Sequence, residues 1–315
     1  MSLDLNNPIF NDEDAARAHL ETQRWPDGPV CPHCGERERV TRLQGKSHRV
    51  GLLKCKACAK PFSVTVGTLY ERSHIPLRKW VLAMHLLCAS KKGMSAHQLH
   101  RMLNLPYKTA WFMAHRLREA MRDDAPSGLG GEGKVIEADE TYFGKVENPE
   151  PSPQRGDRPY TKRGKNGPAG KRAIVALVER GGHVRSFHVK RATSATVTEI
   201  VRTNVSRESA LMTDESKLYT KVGEEFASHR TVTHSAGEYV RLDDRSIHTN
   251  TIEGYFSIFK RGMRGIYQHC GEQHLHRYLA EFDFRYNNRI ALGIGDAERR
   301  DRALANIGGK RLTYR

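Results

Sequence analysis

Two pairs of cysteines form the clearest chemical pattern in the sequence. Cys31 and Cys34 make one C-x-x-C motif, Cys55 and Cys58 make a second, and twenty residues separate the two pairs. A gap of two residues allows a tight turn to direct both thiolates at one ion, and Zn²⁺ favours four such ligands in a tetrahedron. We therefore predict one structural Zn²⁺, which stabilises a small domain and leaves no open position for catalysis.

A redox-active dithiol is the alternative interpretation of a C-x-x-C motif. That motif uses a single pair in a βαβ setting, so two pairs at this separation favour metal. Short strands around a Gly turn between the pairs, and the alternating segment PFSVTVGTLY after them, are typical of a zinc ribbon. Gly35 is expected to take a positive φ after the first pair. Cys88 and Cys270 have no partner at useful spacing and are expected to be buried or incidental thiols.

Asp139 lies in the middle of a segment with the period of a strand. In KVIEADETYFG, Ile136 and Ala138 fall on one face, while Glu137 and Asp139 fall on the other. Burying a carboxylate among apolar residues is costly unless it binds a cation or a hydrogen-bond donor. By itself an Asp in a strand pattern is more often an edge or turn residue, so Asp139 is a candidate that needs partners. The carboxylates Glu137, Glu140 and Glu215 are alternative candidates, although Glu140 is expected to point to the opposite face.

Glu253 lies in a segment with helical period, HTNTIEGYFSIFKRGMRG. Four apolar residues at i, i+3, i+4 and i+7 form one face: Ile252, Tyr255, Phe256 and Phe259. Lys260 follows Glu253 by seven residues, two turns of helix, so both side chains point to the same side. Asn250 joins that side if the helix begins early enough.

The segments between Asp139 and Glu253 predict the elements that must position them. RAIVALVE and HVRSFHVK read as strands joined by a turn at Gly181 and Gly182. A Ser/Thr-capped helix and a short strand ending at Asp214 follow, and the segment HLHRYLAEFDFRYNNR reads as an amphipathic helix that packs on the sheet. Three antiparallel strands, a helix, a strand and further helices predict an α/β fold, a ribonuclease-H-like mixed sheet flanked by helices.

Three short helices are predicted between the cysteines and the first strand. Their apolar stripes comprise Leu77, Trp80, Val81, Met84, Leu87 and Cys88, then Ala96, Leu99, Met102 and Leu103 after a Ser95 cap, then Ala110, Ala114, Leu117 and Met121. The third stripe leaves basic side chains outside it: Lys108, His115, Arg116, Arg118 and Arg122. This order predicts a helix-turn-helix whose third helix enters the major groove, with Lys108 and Arg116 near phosphates or bases. A helical spacer with a solvated basic face is the alternative.

The charge balance favours a polyanionic partner. The chain has 315 residues, with 52 Lys and Arg against 36 Asp and Glu, a formal net charge of +16. No apolar run approaches the roughly 20 residues that span a bilayer, which favours nucleic acid over a membrane. The polar start of the sequence lacks a secretory signal, so we expect a reducing, cytoplasmic and nucleoid-associated location.

Residues 147–172 are rich in Pro, Gly, Arg and Lys and predict a long loop between the first two strands. This loop either clamps the DNA backbone or forms a flexible solvated insertion. Lys260, Arg261 and Arg264 add positive charge to the predicted helix of Glu253. Phosphate contacts of this kind contribute affinity and salt dependence but little sequence preference.

The stretches EADETYFGK, MTDES, HTNTIEGYFSIFKRG and YLAEFDFRYNNR resemble the DDE transposases of bacterial insertion sequences. In particular they resemble the subgroup with an N-terminal zinc ribbon, and the resemblance covers roughly residues 15–290. It implies that Asp139, Asp214 and Glu253 form the acidic triad and that Lys260 is the basic residue after the glutamate. Some members of the subgroup use an asparagine in place of the glutamate, which makes Asn250 the alternative third residue.

The resemblance also implies chemistry and partners. Two Mg²⁺ or Mn²⁺ ions about 3.5–4 Å apart activate the attacking oxygen and stabilise the leaving one. Asp139 is expected to bridge the ions, with Asp214 on one and Glu253 on the other, while Lys260 grips a phosphate. Water frees a 3′-OH at the element end, and this 3′-OH then attacks target DNA. The partners are double-stranded DNA, as transposon ends and as target, and further copies of the chain in a homodimer or larger assembly.

These patterns divide the chain into segments: a tail (1–15), the zinc ribbon (16–72), the helix-turn-helix (73–126), a linker (127–133), the catalytic domain (134–290) and a C-terminal tail (291–315). Two other functions remain open. One is a ribonuclease-H-like nuclease or resolvase. Such an enzyme lacks the N-terminal zinc ribbon and helix-turn-helix that suit recognition of terminal repeats. The other is a catalytically silent DNA-binding regulator, which predicts a lost carboxylate, and none of the three is missing.

Overall fold

The computed structural model describes residues 5–148 and 170–313. The chain folds as two compact units, one of Met1–Arg122 with Asn288–Arg315 and one of Asp123–Asn287. In chain order the helices and strands are α1 (Pro8–Asn11), α2 (Glu13–Arg24), β1 (Val40–Arg42), β2 (Leu53–Cys55), β3 (Pro61–Phe62), α3 (Leu77–Ala89), α4 (Ala96–Leu103), α5 (Tyr107–Met121), β4 (Val135–Lys145), β5 (Lys171–Glu179), β6 (Val184–Val189), α6 (Ser194–Asn204), β7 (Ala210–Asp214), α7 (Thr220–Gly223), β8 (Ser228–Val232), α8 (Asn250–Gly262), α9 (Leu275–Asn287) and α10 (Asp296–Ala305). Within the described ranges, every helix is too short or too polar to cross a lipid bilayer.

The cysteine-rich segment forms an antiparallel sheet in the order β1-β2-β3. Gly35 adopts a φ of +77°, which confirms the expected turn after the first cysteine pair. The strand predicted through PFSVTVGTLY is too long, because β3 ends at Phe62. Beyond it the backbone closes local turns, with the N–H groups of Val66 and Thr68 donating to the carbonyls of Ser63 and Thr65.

The three predicted helices α3, α4 and α5 are confirmed, and Ser95 caps α4 by accepting a hydrogen bond from the Gln98 N–H. The predicted stripes are wrong at three positions. Met102 is 51% exposed, whereas His115 and Arg118 on α5 are buried, with exposed fractions of 1% and 2%. Helix α5 contacts α3, α4 and α10, so its buried surface is wider than one apolar stripe.

Both ends of the chain contribute to the first unit, in contrast to the predicted tails. Helices α1 and α2 begin within residues 1–15, and α10 lies within residues 291–315 and packs on α3. Arg299 is buried and donates to the Cys88 carbonyl at 2.8 Å. Lys310 donates to the carbonyls of Glu119 and Arg122 at the end of α5. In these contacts the side chains of Arg299 and Lys310 donate to backbone carbonyls. Polar contacts of this kind leave little apolar periodicity in the sequence of residues 291–315.

The second unit is built on a five-stranded mixed sheet in the order β6-β5-β4-β7-β8. Strands β4, β5 and β6 pair antiparallel, whereas β7 pairs parallel with β4 and β8 parallel with β7. Strand β8, with the polar sequence SHRTV, is not among the predicted strands because an edge strand needs little apolar surface. The segment 127–133, predicted as a linker, contributes Leu129 to this unit's core.

Helices cover both faces of this sheet, as the ribonuclease-H-like prediction requires. The alternation of β5 places Ile174, Ala176 and Val178 against α8 and α9, where the predicted apolar face of α8 is buried. Val175 and Leu177 point the other way, with Ile136 and Ala138 of β4, and pack against α6 and α7. Asp139 and Glu137 therefore lie on the α8 side of the sheet.

Candidate functional site

The four paired cysteines converge in the first unit. The Sγ atoms of Cys31, Cys34, Cys55 and Cys58 all lie within 4.8 Å of one another. The Cys31–Cys58 separation is 3.7 Å and the Cys34–Cys55 separation 3.6 Å. A tetrahedron with Zn–S bonds of about 2.3 Å has edges of about 3.8 Å, so this donor set fits one Zn²⁺. The N–H groups of Cys58 and Ala57 lower the pKa of the Cys55 thiol, whereas burial and the neighbouring thiols raise the pKa of Cys34, so a bound cation is needed for all four to be thiolates.

The carboxylates come from three elements of the second unit. Asp139 lies within β4 and Asp214 is the last residue of β7. These strands are parallel neighbours with Glu137 opposite Met212, so Asp139 and Asp214 lie two residues further along each strand. Glu253 lies in the first turn of α8. Asp214 and Glu253 both lie near enough to Asp139 to raise its pKa. The ligand atoms of the three carboxylates do not all lie within 4.8 Å of one another, and Asp214 does not line the cleft described below.

A cleft of about 710 Å³ in the second unit collects most of the predicted site residues. It is lined by Asp139 and Glu253 and by the cations Lys260, Arg261 and Arg264. Acidic groups on the sheet side and basic groups from α8 and the turn after it suit a phosphodiester with a bound cation. Asn250 is exposed at the start of α8 and does not line this cleft.

Acidic neighbours surround Asp139 on the sheet side of the cleft. Burial raises the pKa of Asp139 well above its ordinary value, and the carboxylates of Glu140, Asp214 and Glu253 raise it further. Burial also raises the pKa of Asp214. For Lys260, burial lowers the pKa, although the nearby Asp139 opposes this change. A bound cation relieves repulsion of this kind, so the donor set fits hard divalent ions.

Two carboxylates on the same face of β4 have different surroundings. Glu137 is fully buried and accepts hydrogen bonds from Arg180 Nε at 2.6 Å, Thr251 Oγ1 at 2.9 Å and the Ile252 N–H at 2.9 Å. Asp139 accepts the N–H of Glu140 at 2.7 Å, and its charged neighbours are three carboxylates and the half-buried Lys260. Glu137 is therefore neutralised by protein groups, whereas Asp139 is suited to an added cation.

Glu140 also lines the cleft, but its carboxylate has a partner on the opposite side of the sheet, as the strand alternation predicts. Its Oε2 accepts a hydrogen bond from the Tyr219 hydroxyl at 2.9 Å, and Tyr219 belongs to the core on the opposite side of the sheet. Burial raises the pKa of Glu140. The protein thus holds the carboxylate adjacent to Asp139 with a partner of its own.

Two residues that the sequence did not single out contact Glu253, and Glu215 holds the turn that carries one of them. Thr249 donates its hydroxyl to Glu253 Oε1 at 3.0 Å, and His234 Nε2 lies 3.2 Å from the same oxygen. Glu215 accepts the N–H groups of His234 and Ser235 at 2.9 Å each. His234 belongs to a short 3₁₀ turn soon after β8, and no local pattern marks it because β8 itself carries no strong strand signal.

The predicted DNA-contacting residues of the first unit lie on α5. Lys108 is exposed in its first turn, as a phosphate or base contact requires. Arg116 is half-buried, with its guanidinium 4.6 Å from the centre of the Phe112 ring. Of the predicted basic loop 147–172, residues 149–169 lie outside the described residues.

Comparison with known proteins gives two family matches. Residues 129–287 match the ISXO2-like transposase domain, and residues 11–61 match the transposase zinc-ribbon domain. A protein of Halobacterium salinarum, described as an uncharacterized protein in transposable element ISH50, is 32% identical over 288 residues. That alignment covers 88% of this chain and 91% of the relative.

Solved structures give more distant similarity. The Mos1 transposase paired-end complex with left transposon end is 11% identical, with 64% of this chain and 78% of that chain covered and a TM-score of 0.21. The Mos1 strand transfer complex is 9% identical, with 68% and 77% covered and a TM-score of 0.22. The family assignment therefore depends on the sequence matches. Since one of them spans half of the chain and the relative aligns along nearly its whole length, the chain belongs to the ISXO2-like transposase family and carries a transposase zinc ribbon before its ribonuclease-H-like domain.

Proposed function

We propose that this transposase binds the terminal inverted repeats of its mobile element and catalyses divalent-metal-dependent cleavage and transfer of DNA strands. Asp139 carries the proposal, because it is a buried carboxylate whose pKa stays well above its ordinary value although Lys260 lies nearby, in a cleft that also holds Glu253 and Arg264. Buried charge of this kind is expensive unless it serves binding or catalysis. Family membership supports the same reaction.

In this proposal Asp139, Asp214 and Glu253 hold two Mg²⁺ or Mn²⁺ ions. When bound, such ions activate the attacking oxygen and stabilise the leaving oxygen of a phosphodiester. Asp139, whose pKa both other carboxylates raise, would be a ligand of both ions, and Asp214 and Glu253 would each hold one of them. With two ions, the three carboxylates do not all have to contact the same ion. Among the described residues, only the four cysteines have all their ligand atoms within 4.8 Å of one another.

The remaining residues of the cleft bind and orient DNA. Lys260 and Arg264 hold phosphate oxygens next to the scissile bond, and the half-burial of Lys260 strengthens its attraction for the anion. Thr249 and His234 hold the Glu253 carboxylate in one orientation. Water is the first attacking group, and the freed 3′-OH of the element end is the second, so one cleft serves both steps.

Recognition of the element ends is assigned to the first unit. The exposed Lys108 lies at the start of α5, where a recognition helix contacts base edges and phosphates. The zinc ribbon adds a second small module, and the net charge of +16 supports binding to a polyanion. Two element ends must be joined in one reaction, so we expect a homodimer or larger assembly on DNA.

A plasmid that carries the element ends tests this function. With Mg²⁺ the wild-type protein is expected to nick the ends, whereas Asp139→Asn abolishes nicking because it removes the bridging charge. Retention of end DNA in a gel-shift experiment without metal is expected to be equal for both proteins. Equal nicking by both proteins removes Asp139 from the mechanism.

A second assay separates transposition from plain nuclease activity. A pre-cut element end with a free 3′-OH is incubated with target plasmid, and joined products are counted. Joining supports the transposase function, whereas cleavage without joining favours a nuclease or resolvase. A protein that retains DNA but neither cuts nor joins it is a silent DNA-binding regulator.

A further inference from the structure

The helix that carries Glu253 has an unusual N-terminus. Thr249 is its N-cap residue, and a Thr in this position normally accepts a hydrogen bond from an N–H of the first turn. The Thr249 hydroxyl makes no such bond and instead donates to Glu253 Oε1 at 3.0 Å. The first turn of α8 therefore needs another acceptor.

Glu137 supplies that acceptor from a different element. Its Oε2 accepts the Ile252 N–H at 2.9 Å, and its Oε1 accepts the Thr251 hydroxyl at 2.9 Å. Glu137 is fully buried in β4, two residues before Asp139. A carboxylate at a helix N-terminus also interacts favourably with the helix dipole. The strand that carries Asp139 thus caps the helix that carries Glu253.

Arg180 fixes this cap from the other side. Its Nε donates to Glu137 Oε1 at 2.6 Å, while its terminal nitrogens donate to the carbonyls of Ser246 and His248 at 2.6 and 2.7 Å. Ser246 and His248 belong to the segment that leads into α8. The ion pair therefore neutralises Glu137 and holds the chain just before the helix, so that the helix has one position relative to β4.

We propose that Glu137 is a positioning residue, which sets the separation of Asp139 and Glu253 by capping α8 from the strand that carries Asp139. The inference rests on the proposed function, since it takes Asp139 and Glu253 as ligands of divalent ions. The arrangement also leaves the N-cap residue Thr249 free to orient the Glu253 carboxylate. Glu137 itself stays out of contact with DNA and metal.

The test measures binding of Mn²⁺ to the full-length protein by titration calorimetry, well below the unfolding temperature. Glu137→Gln removes the charge and one of the two acceptor oxygens. We expect its Mn²⁺ affinity to fall by about 10- to 100-fold, as for other residues that orient metal ligands. Gel-shift binding of element-end DNA without metal is expected to stay at the wild-type level.

Two further variants separate position from charge. Thr251→Val removes one contact to Glu137 without a change of charge, and we expect a smaller loss of Mn²⁺ affinity. Thr251→Ser keeps the hydroxyl, so its Mn²⁺ affinity is expected to equal that of the wild-type protein. If Glu137→Gln weakens Mn²⁺ binding but Thr251→Val does not, the lost charge explains the effect and the positioning role is overturned. If Glu137→Gln does not fold, the positioning role is tested by the Mn²⁺ affinities of Thr251→Val and Thr251→Ser.

Thr193→Ala is the matched control for lost stability. Thr193 caps α6 in the same unit by accepting the Thr196 N–H at 3.2 Å. Its loss is expected to lower Tm by about 2–4 °C with Mn²⁺ affinity unchanged. If Glu137→Gln and Thr251→Val also lower Tm but keep wild-type Mn²⁺ affinity, Glu137 serves stability alone. A wild-type protein that binds no Mn²⁺ and cuts no DNA refutes the proposed function itself, together with this inference.

Discussion

At the scale of single residues, the surroundings of a carboxylate decide its role. Glu137 and Asp139 point to the same side of β4, but Glu137 has Arg180 as a partner and Asp139 has acidic neighbours. Glu140 is held on the other side of the sheet by Tyr219. Of these three acidic residues, Asp139 alone lines the cleft without a direct hydrogen bond from another residue's side chain to its carboxylate among the contacts described. This difference supports Asp139 as the central metal ligand.

The same reasoning separates Glu253 from Asn250 as the third residue of the triad. Glu253→Gln is expected to lower the strand-cleavage rate by more than about 100-fold, because even residues that only orient metal ligands contribute about 10- to 100-fold. Asn250→Ala is expected to keep most of the wild-type rate, since Asn250 is exposed and does not line the cleft. Single-turnover cleavage of end DNA measures both. The reverse pattern assigns the third position to Asn250.

At the scale of elements, the smallest sheet is expected to depend on zinc held by its four cysteines. Strands β1, β2 and β3 contain three, three and two residues, too few to bury a stable core. Structural Zn²⁺ sites contribute apparent binding energies of about 10–16 kcal/mol, which folds domains of this size. The ribbon therefore depends on the four cysteines more than on its own strands.

Replacement of a zinc ligand tests this dependence. Cys34→Ser is expected to lose the bound zinc and, with it, tight binding of element ends, because the ribbon unfolds. Elemental analysis measures the zinc, and a gel shift measures the binding. Cys270→Ser is the matched control, since Cys270 is buried in the second unit, apart from the four-cysteine cluster. Equal zinc content in Cys34→Ser and wild type would contradict the four-cysteine site.

At the scale of the whole molecule, the stability of the second unit is linked to pH through Asp283. This residue of α9 accepts hydrogen bonds from the Ser186 N–H at 2.9 Å and from the Tyr255 hydroxyl, so it joins α9 to β6 and α8. Burial raises the pKa of Asp283 from 3.8 to about 6. A raised carboxyl pKa means that the folded state holds the proton more tightly than the unfolded chain.

The stabilisation from protonated Asp283 is complete below pH 3.8 and is lost as pH rises through about 6. The loss is on the order of 2–3 kcal/mol. In Asp283→Asn this component is absent, so its free energy of unfolding should fall less than that of wild type between pH 4 and about 7. Urea unfolding across this range measures the difference. Asn287→Ala removes the two hydrogen bonds between the Asn287 side chain of α9 and the backbone of Val184. Because an amide does not titrate in this range, this variant should lose the same stability at every pH. Parallel pH curves for Asp283→Asn and wild type contradict the prediction.

The sequence by itself determined the features that local spacing encodes. The cysteine pairs, the alternation that places Asp139 on one face of β4 and the apolar face of α8 all follow from short-range period, so they were predictable. Only the tertiary structure decided that Glu137 caps α8, that Glu253 rather than Asn250 lines the cleft and that α10 belongs to the first unit. These depend on hydrogen bonds and burial between segments far apart in the chain. The spacing of residues within one segment does not indicate contacts of this kind.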